Sequence, residues 1–199
     1  MTIDSVQFGL FENNTVKDKQ AAEDRLQQWL KLYTLSKDKN AVTLDTNVRL
    51  TRWKKLVYNS AVNTTTALVD LDCTRCALAG YKENIARPIM KEIYKVADAD
   101  GYILPPELEQ KMLDISDGLF YTPSMLVDVR LGRMIELETI VGNPLRIAKS
   151  LKVDTPHLEM MYGLLKLVQF RIQEKMGIIT VGKDAGEKAA PPEDYGSGF

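Results

Sequence analysis

The first part of the chain has the hydrophobic pattern of two strands around one helix. Residues 3–12, with the sequence Ile-Asp-Ser-Val-Gln-Phe-Gly-Leu-Phe-Glu, predict a short strand that ends in a turn at Asn13-Asn14. Residues 19–35 predict an amphipathic helix with its apolar face formed by Ala22, Leu26, Trp29, Leu30 and Tyr33. Residues 41–44 predict a second strand. Because two strands and a helix cannot cover both faces of a sheet, we interpret residues 1–46 as the end of a larger α/β domain whose beginning is absent.

From residue 47 onward the hydrophobic spacing is helical. The predicted helices are 47–69, 80–98, 106–116, 124–128, 134–151 and 155–175. Asn47 and Ser124 are candidate N-caps, and Gly142-Asn143-Pro144 is expected to interrupt the fifth helix. Residues 178–199 are rich in Gly, Lys, Glu, Pro and Ser, which predicts a disordered tail. The pattern therefore predicts a mainly α fold, with a helical domain over residues 47–177.

The charge balance and the absence of long apolar runs bear on which partners the protein binds. The 199 residues contain 26 Lys and Arg against 27 Asp and Glu, so nothing indicates nucleic acid or an acidic membrane surface as a partner. The sequence has no apolar run of about 18 residues and no signal-peptide pattern. We therefore expect a soluble cytoplasmic protein with no membrane partner.

Cys73 and Cys76 are the two cysteines of the chain. Their spacing fits a redox pair or half of a zinc site, but the single histidine, His157, lies far away in sequence and the flanks lack a βαβ pattern. Two reduced structural thiols are the better interpretation, and no metal site is predicted. His157 falls in the first turn of the last predicted helix, where a surface or capping role is favoured over catalysis.

Lys55, Asn59 and Asn63 follow one another at intervals of four residues within the first long helix. This spacing places an ammonium group and two carboxamides on one helical face, over a length of about 12 Å. Asn is a weak helix former, so a solvated face would more often carry Glu, Lys or Gln. The pattern therefore leaves two interpretations open, a solvated polar stripe or the lining of a pocket for a small polar substrate.

Glu136 lies between Ile135 and Leu137, so we expect its carboxylate in an apolar neighbourhood. A carboxylate in such surroundings needs a partner, and a lysine such as Lys55 would serve. No Gly-x-Gly-x-x-Gly or phosphate-loop motif occurs in the sequence, so the chain has no recognisable phosphate cradle and its cofactor-binding residues are not identified.

Several motifs together resemble the ketopantoate reductase (2-dehydropantoate 2-reductase) family. They are Lys-Leu-x-x-Asn-x-x-x-Asn from Lys55, Ser-Met-x-x-Asp-x-x-x-Gly-Arg-x-x-Glu from Ser124 to Glu136, Gly142-Asn143-Pro144, and Asp154-Thr155-Pro156. Their order and spacing agree over about residues 45–175. The resemblance implies an all-helical substrate domain, similar to the C-terminal domain of 6-phosphogluconate dehydrogenase, attached to an N-terminal Rossmann domain that binds NADPH. It also implies that residues 3–45 are the last part of that Rossmann domain and that the glycine-rich half is absent from this chain.

The resemblance also implies roles for individual residues. Lys55 matches the general acid, Asn59 and Asn63 match substrate-contacting amides, Ser124 matches a hydroxyl near the substrate carboxylate, and Glu136 matches the acid that positions the substrate or the lysine. One position departs from the family, because Cys73 stands where many members have a further Asn.

The implied function is NADPH-dependent reduction of ketopantoate to pantoate in pantothenate biosynthesis, by an enzyme that could be a homodimer. Two alternatives stay open. The chain could be a catalytically silent helical fragment or paralogue, as the absent phosphate cradle suggests. It could also reduce another 2-keto acid, as Cys73 suggests.

Overall fold

The structure is a computed structural model that describes residues 4–11, 17–34 and 40–182. The chain divides into two compact units, the first ending at Lys54 and the second beginning at Lys55. The predicted turn at Asn13-Asn14 and most of the predicted tail, from residue 183, lie outside the described residues.

The first unit contains the predicted strand, helix and strand. They are β1 (Asp4–Phe8), α1 (Lys19–Tyr33) and β2 (Asn40–Leu44), and the strands pair in parallel with Val6 opposite Val42. A parallel pair needs a crossover connection, which α1 supplies. The Phe8 and Tyr33 rings meet edge to face at 5.3 Å, so α1 packs on the sheet. Trp29, predicted on the apolar face of α1, is instead exposed, because two strands offer too little surface to cover it.

The second unit consists of helices. Their bounds are α2 (Val48–Tyr58, which begins in the first unit), α3 (Thr64–Val69), α4 (Cys73–Leu78), α5 (Arg87–Ala99), α6 (Glu107–Asp114), α7 (Ser124–Arg130), α8 (Asn143–Leu151) and α9 (Pro156–Lys175). The mainly α prediction is therefore confirmed. Asn47 accepts a hydrogen bond from the Leu50 N–H at 3.1 Å, as an N-cap does. Within the described residues no helix has the length and apolar character needed to cross a bilayer.

One-turn π-helical segments widen three of the helical runs among the described residues, at Asn59–Asn63, Lys82–Ala86 and Glu138–Gly142. The last two are followed closely by Pro88 and Pro144. Proline has no N–H and its ring crowds the carbonyl four residues earlier, so a wider turn lets the helix continue past it. The interruption expected at Gly142-Asn143-Pro144 is therefore a widened turn rather than a break.

α5 lies at the centre of the second unit. It packs against α6, α8, α9 and the first π turn, and it buries Ile89, Met90, Ile93, Val96 and Ala97. It also buries Glu92, whose carboxylate accepts hydrogen bonds from the backbone N–H groups of His157 (3.0 Å) and Leu158 (2.8 Å). Glu92 thus caps the start of α9 from another helix. The His157 ring is exposed, as the surface alternative predicted, and its Nδ1 lies 2.6 Å from the same Glu92 carboxylate.

One helix start and one cap differ from prediction, and one helix was not predicted. The helix expected from residue 134 begins only at Leu137, and Pro123 rather than Ser124 occupies the N-cap of α7, while the other predicted helix ends from residue 47 onward lie within two residues of the observed ones. The six-residue α4 was missed because it is too short to show periodicity, although Asp72 caps it by accepting from the Arg75 N–H. α4 carries Cys73 and Cys76, and both are buried free thiols. Burial, with a smaller contribution from Cys73 and Asp72, raises the pKa of the Cys76 thiol to about 11.

Candidate functional site

The first π turn places Asn59 and Asn63 in the second unit. Ser60, Ala61 and Val62, which lie between them, are fully buried. The hydroxyls of Thr64, Thr65 and Thr66 donate to the carbonyls of residues 60, 61 and 62, at distances between 2.5 and 2.9 Å. A π turn changes the backbone hydrogen-bond register, and these side chains satisfy buried carbonyls that the changed register exposes. The hydroxyl run therefore holds the turn that carries the two amides.

Asn63 is 3% exposed and contacts two other polar side chains. Its Nδ2 donates to Asn59 Oδ1 at 3.3 Å and lies 3.5 Å from Ser124 Oγ, at the start of α7. The Asn63 Oδ1 atom is buried without a hydrogen-bond partner among the described residues. An unpaired buried acceptor costs about 1–3 kcal/mol. A ligand that offers an O–H or N–H donor would remove this cost, so the cluster is suited to a small polar molecule.

Lys55 lies one helical turn before Asn59, on the same side of the helical run. Exposure falls along the three residues, since Lys55 is exposed, Asn59 half-buried and Asn63 buried. Lys55 makes no hydrogen bond or ion pair with any described residue. Its ammonium is therefore available to a bound molecule at the outer end of the amide cluster.

Glu136 is exposed, which corrects the expectation that it lies among apolar residues. Its neighbours Ile135 and Leu137 are both buried. The segment before Leu137 is not helical, so alternate side chains point to opposite sides and Glu136 faces outward. Its expected pairing with Lys55 is also absent, since no ion pair joins the two residues in the described part of the chain.

The structure brings together some of the predicted site residues and not others. Asn59, Asn63 and Ser124 are connected by hydrogen-bond contacts. The first π turn also packs against α7 and against the third π turn, which begins two residues after Glu136. The segment of Glu136 is therefore near the amide cluster, but its carboxylate does not join it.

Glu136 lines a groove of about 450 Å³ beside α9. The other lining residues are Ile135, Leu137, Glu138, Thr139, Lys166, Gln169, Phe170 and Gln173. Gln169 Oε1 accepts a hydrogen bond from the Ile135 N–H at 3.0 Å, which fixes the non-helical segment against α9. The groove thus offers carboxylates, an amine and amides beside one aromatic ring.

Glu138 holds the third π turn in place. Its carboxylate accepts from the Tyr162 hydroxyl at 2.6 Å and from Arg146 Nη1 at 2.8 Å. Partial burial pushes the pKa of Glu138 up, but these two hydrogen bonds and the charge of Arg146 outweigh burial and hold the pKa below its ordinary value. A Cβ at position 142 would meet Glu138 Oε2 at 2.3 Å, so Gly142 leaves room for this carboxylate.

Sequence reasoning missed the role of Glu138 and of the threonine hydroxyls. The run Thr64-Thr65-Thr66 was a usable signal, because consecutive β-branched hydroxyls are unusual in the middle of a helix and often bond to carbonyls four residues earlier. Glu138 gave no comparable signal, since its partners are 8 and 24 residues away in sequence.

Comparison with known proteins identifies similar sequences and folds. The family model described as “Ketopantoate reductase PanE/ApbA C terminal” matches residues 47–169. An uncharacterized protein from Saccharomyces cerevisiae is 39% identical over 181 residues, covering 88% of this chain and 49% of the yeast protein. A 2-dehydropantoate 2-reductase from Nostoc is 30% identical over 142 residues, covering 71% of this chain and 44% of that protein.

A solved structure of a 2-dehydropantoate 2-reductase is also similar to this chain in fold. The crystal structure of 2-dehydropantoate 2-reductase from Methylococcus capsulatus matches with a TM-score of 0.67 and 29% identity, covering 86% of this chain and 53% of that one. The chain spans about half the length of the curated relatives it matches.

Proposed function

This chain belongs to the ketopantoate reductase family, and we propose that it supplies the substrate-binding and proton-donating part of an NADPH-dependent 2-dehydropantoate 2-reductase. Ketopantoate is the proposed substrate and pantoate the product. The family match supports an oxidoreductase, while the substrate and the cofactor are part of our proposal.

One observation carries the proposal. Asn63 is buried in hydrogen-bond contact with Asn59 and Ser124, yet its Oδ1 has no partner among the described residues. Ketopantoate carries a hydroxyl group that would donate to this oxygen. The Ser124 hydroxyl and the Asn59 amide would then contact the remaining oxygen atoms of the substrate.

Lys55 is proposed as the general acid. When a hydride adds to the ketone carbon, the electron pair of the C=O π bond moves to oxygen, and the Lys55 ammonium gives a proton to that oxygen. An ammonium both stabilises the developing negative charge and supplies the proton. The neutral amine then regains a proton from water. Glu136, which lines the groove beside α9, is proposed to position the substrate or the Lys55 amine once the substrate is bound.

The residues of this chain do not fit the phosphates of a dinucleotide, because its sequence contains no glycine-rich cradle. We therefore expect this chain alone to bind NADPH weakly or not at all. In the proposed enzyme the hydride comes from the dinucleotide, and these residues bind and protonate the substrate.

The proposal is tested by replacing the proton donor. In the complete protein that contains this chain, Lys55→Ala is expected to lower kcat for ketopantoate by about 100- to 10,000-fold, the usual contribution of general acid catalysis. The readout is NADPH oxidation followed by absorbance. Lys54→Ala is the matched control, because the adjacent lysine points to another face of the helix and should leave kcat unchanged. Equal turnover by the Lys55 variant and wild type would refute the assignment.

Reduction of a different 2-keto acid is the second candidate. Cys73 replaces an Asn found in many family members, and the structure buries this cysteine with its Sγ 3.6 Å from the Tyr58 hydroxyl. A panel of 2-keto acids assayed with the complete protein separates the candidates. A higher kcat/KM for another 2-keto acid would favour this second reading, and activity on none would favour a catalytically silent paralogue.

A further inference from the structure

The first π turn is not followed by a proline, unlike the other two. Pro88 and Pro144 each stand two residues after the end of a π turn, where a proline favours a wider turn. At the same place after the first π turn the chain has Thr65, which keeps its backbone N–H and does not exclude an α turn. The widening at Asn59–Asn63 therefore has a different cause from that of the other two π turns in the described chain.

Three threonine hydroxyls compete for the carbonyls that an α turn would use. In an α-helix the carbonyls of residues 60, 61 and 62 accept from the backbone N–H groups four residues later, those of Thr64, Thr65 and Thr66. Here the hydroxyls of the same three threonines donate to these carbonyls, and all three side chains are buried. The Thr64 hydroxyl makes the shortest of the three bonds, at 2.5 Å, and also reaches the Ala61 carbonyl at 3.2 Å. A hydroxyl that bonds to the carbonyl four residues earlier competes with the helical N–H and distorts the helix, so the threonine run favours the wider turn.

The register of the first π turn sets the direction of Asn63. A π turn takes in one residue more than an α turn, so the register decides where on the shared helical face the last residue of the turn points. Asn63 is that residue, and its Nδ2 lies 3.3 Å from Asn59 Oδ1 and 3.5 Å from Ser124 Oγ. Lys55 precedes the turn, so the direction of its side chain does not depend on this register. The threonine hydroxyls thus act on the amide cluster through the backbone.

We propose that Thr64 is a positioning residue for substrate binding, assisted by the next two threonines. Its hydroxyl holds the π register that keeps the Asn63 amide in contact with Asn59 and Ser124. Thr64 is fully buried, so it acts through Asn63 rather than by touching the substrate. The part of this inference that concerns substrate affinity rests on the proposed function, whereas the part that concerns the direction of Asn63 does not.

The direction of the Asn63 amide is tested by NMR in the full chain without ligand. Thr64→Val keeps the shape of the side chain but removes the donor, so NOEs between the Asn63 side-chain amide and the Ser124 β protons should be lost. Thr64→Ser keeps the hydroxyl and should keep these NOEs. Thr34→Val is the matched control, because the Thr34 hydroxyl also donates to the carbonyls four and three residues earlier, at the end of α1. NOEs of wild-type intensity in Thr64→Val would overturn the proposal.

If Thr64→Val does not fold, the milder Thr65→Val decides the same question. The Ala61 carbonyl that loses the Thr65 hydroxyl still receives that of Thr64, so the fold should tolerate this change. The NOEs between Asn63 and Ser124 should then weaken, and unchanged NOEs would count against the threonine run.

Substrate affinity is the second readout. In isothermal titration of the full chain with ketopantoate, Thr64→Val should raise the Kd by about tenfold, because the Asn63 amide no longer meets the substrate in the right direction. Thr64→Ser and Thr34→Val should keep the wild-type Kd. A wild-type Kd in Thr64→Val would refute the positioning role. A wild-type chain that does not bind ketopantoate would instead refute the proposed function and with it the effect on affinity, while the NOE comparison would still decide the direction of Asn63.

Kinetics of the complete protein separate positioning from a general loss of structure. Thr64→Val should raise the KM for ketopantoate and leave kcat within about twofold of wild type, because Lys55 precedes the turn. A loss confined to kcat, with KM unchanged, would contradict this role of Thr64.

Discussion

The side chain of Asn63 is deeply buried, and its Oδ1 atom has no hydrogen-bond partner among the described residues. Its position could be predicted, because the four-residue spacing from Lys55 places all three residues on one face whether the turn is α or π. The unpaired Oδ1 atom could not be predicted, because it depends on where the Asn59 and Ser124 side chains lie in the folded chain, and both contact the Nδ2 atom of Asn63. The predicted apolar surroundings of Glu136 are wrong because the backbone before Leu137 is not helical. Ile135 and Leu137 therefore point inward while Glu136 points outward.

The carboxylates Glu138 and Glu136 are two residues apart but differ in their contacts, which gives a pH-dependent prediction. Hydrogen bonds hold the pKa of Glu138 below its ordinary value, so Glu138 stabilises the fold above its unfolded-state pKa of about 4.5. That stabilisation is lost as the pH falls through the lower folded-state pKa. Glu138→Gln should therefore lower the free energy of unfolding at about pH 7, by less than about 1 kcal/mol because the side chain is half exposed.

The difference between Glu138→Gln and wild type should shrink as the pH falls from about 7 through the lowered folded-state pKa of Glu138, and it should disappear at a second pH below that pKa, where both side chains are uncharged. Urea denaturation at the two pH values measures it. Glu136→Gln is the control, because the Glu136 carboxylate makes no hydrogen bond or ion pair with a described residue and its removal should change stability little at either pH. A loss in Glu138→Gln that is the same at both pH values would show that packing rather than charge is responsible.

At the scale of elements, the long periodic helices were predicted to within a few residues, since each buries a regular apolar face in the core. The π turns were not, because a five-residue segment is too short to reveal a changed period. Pro88 and Pro144 follow the second and third π turns, and the sequence predicted an interruption of the helix at Pro144 where the structure has a wider turn. The start of α9 was predicted from Thr155-Pro156, but its cap comes from Glu92 of α5, a contact across 65 residues that no local pattern contains.

This distant cap gives a prediction about α9. Glu92→Ala leaves the N–H groups of His157 and Leu158 without their acceptor and opens a small cavity in the core. We expect a loss of about 2–4 kcal/mol in the free energy of unfolding. Glu83→Ala removes a carboxylate that is exposed and pairs with Arg87, so its loss of stability should be much smaller than that of Glu92→Ala. Urea denaturation of both variants checks the comparison, and equal losses would mean that Glu92 does not cap α9.

At the scale of the whole molecule, the sequence predicted the mainly α class and the family, because the motifs that identify the family lie within the helical unit. The chain covers about half of its curated relatives, and it contains the residues proposed to bind the substrate but no glycine-rich phosphate motif. The predicted homodimer and cytoplasmic location stay predictions. The central proposal for this chain is that the amide and hydroxyl cluster around Asn63 binds a 2-keto acid.

That claim is tested most directly by following the side-chain amide signals of the ¹⁵N-labelled chain by NMR while ketopantoate is added. We expect the signals of Asn59 and Asn63 to shift and saturate, with Asn63→Ala abolishing binding. Asn84→Ala, which removes an exposed amide in the second π turn, should leave binding unchanged. Signals of Asn59 and Asn63 that stay in place at saturating ketopantoate, or an Asn63→Ala variant that binds like wild type, would contradict the account.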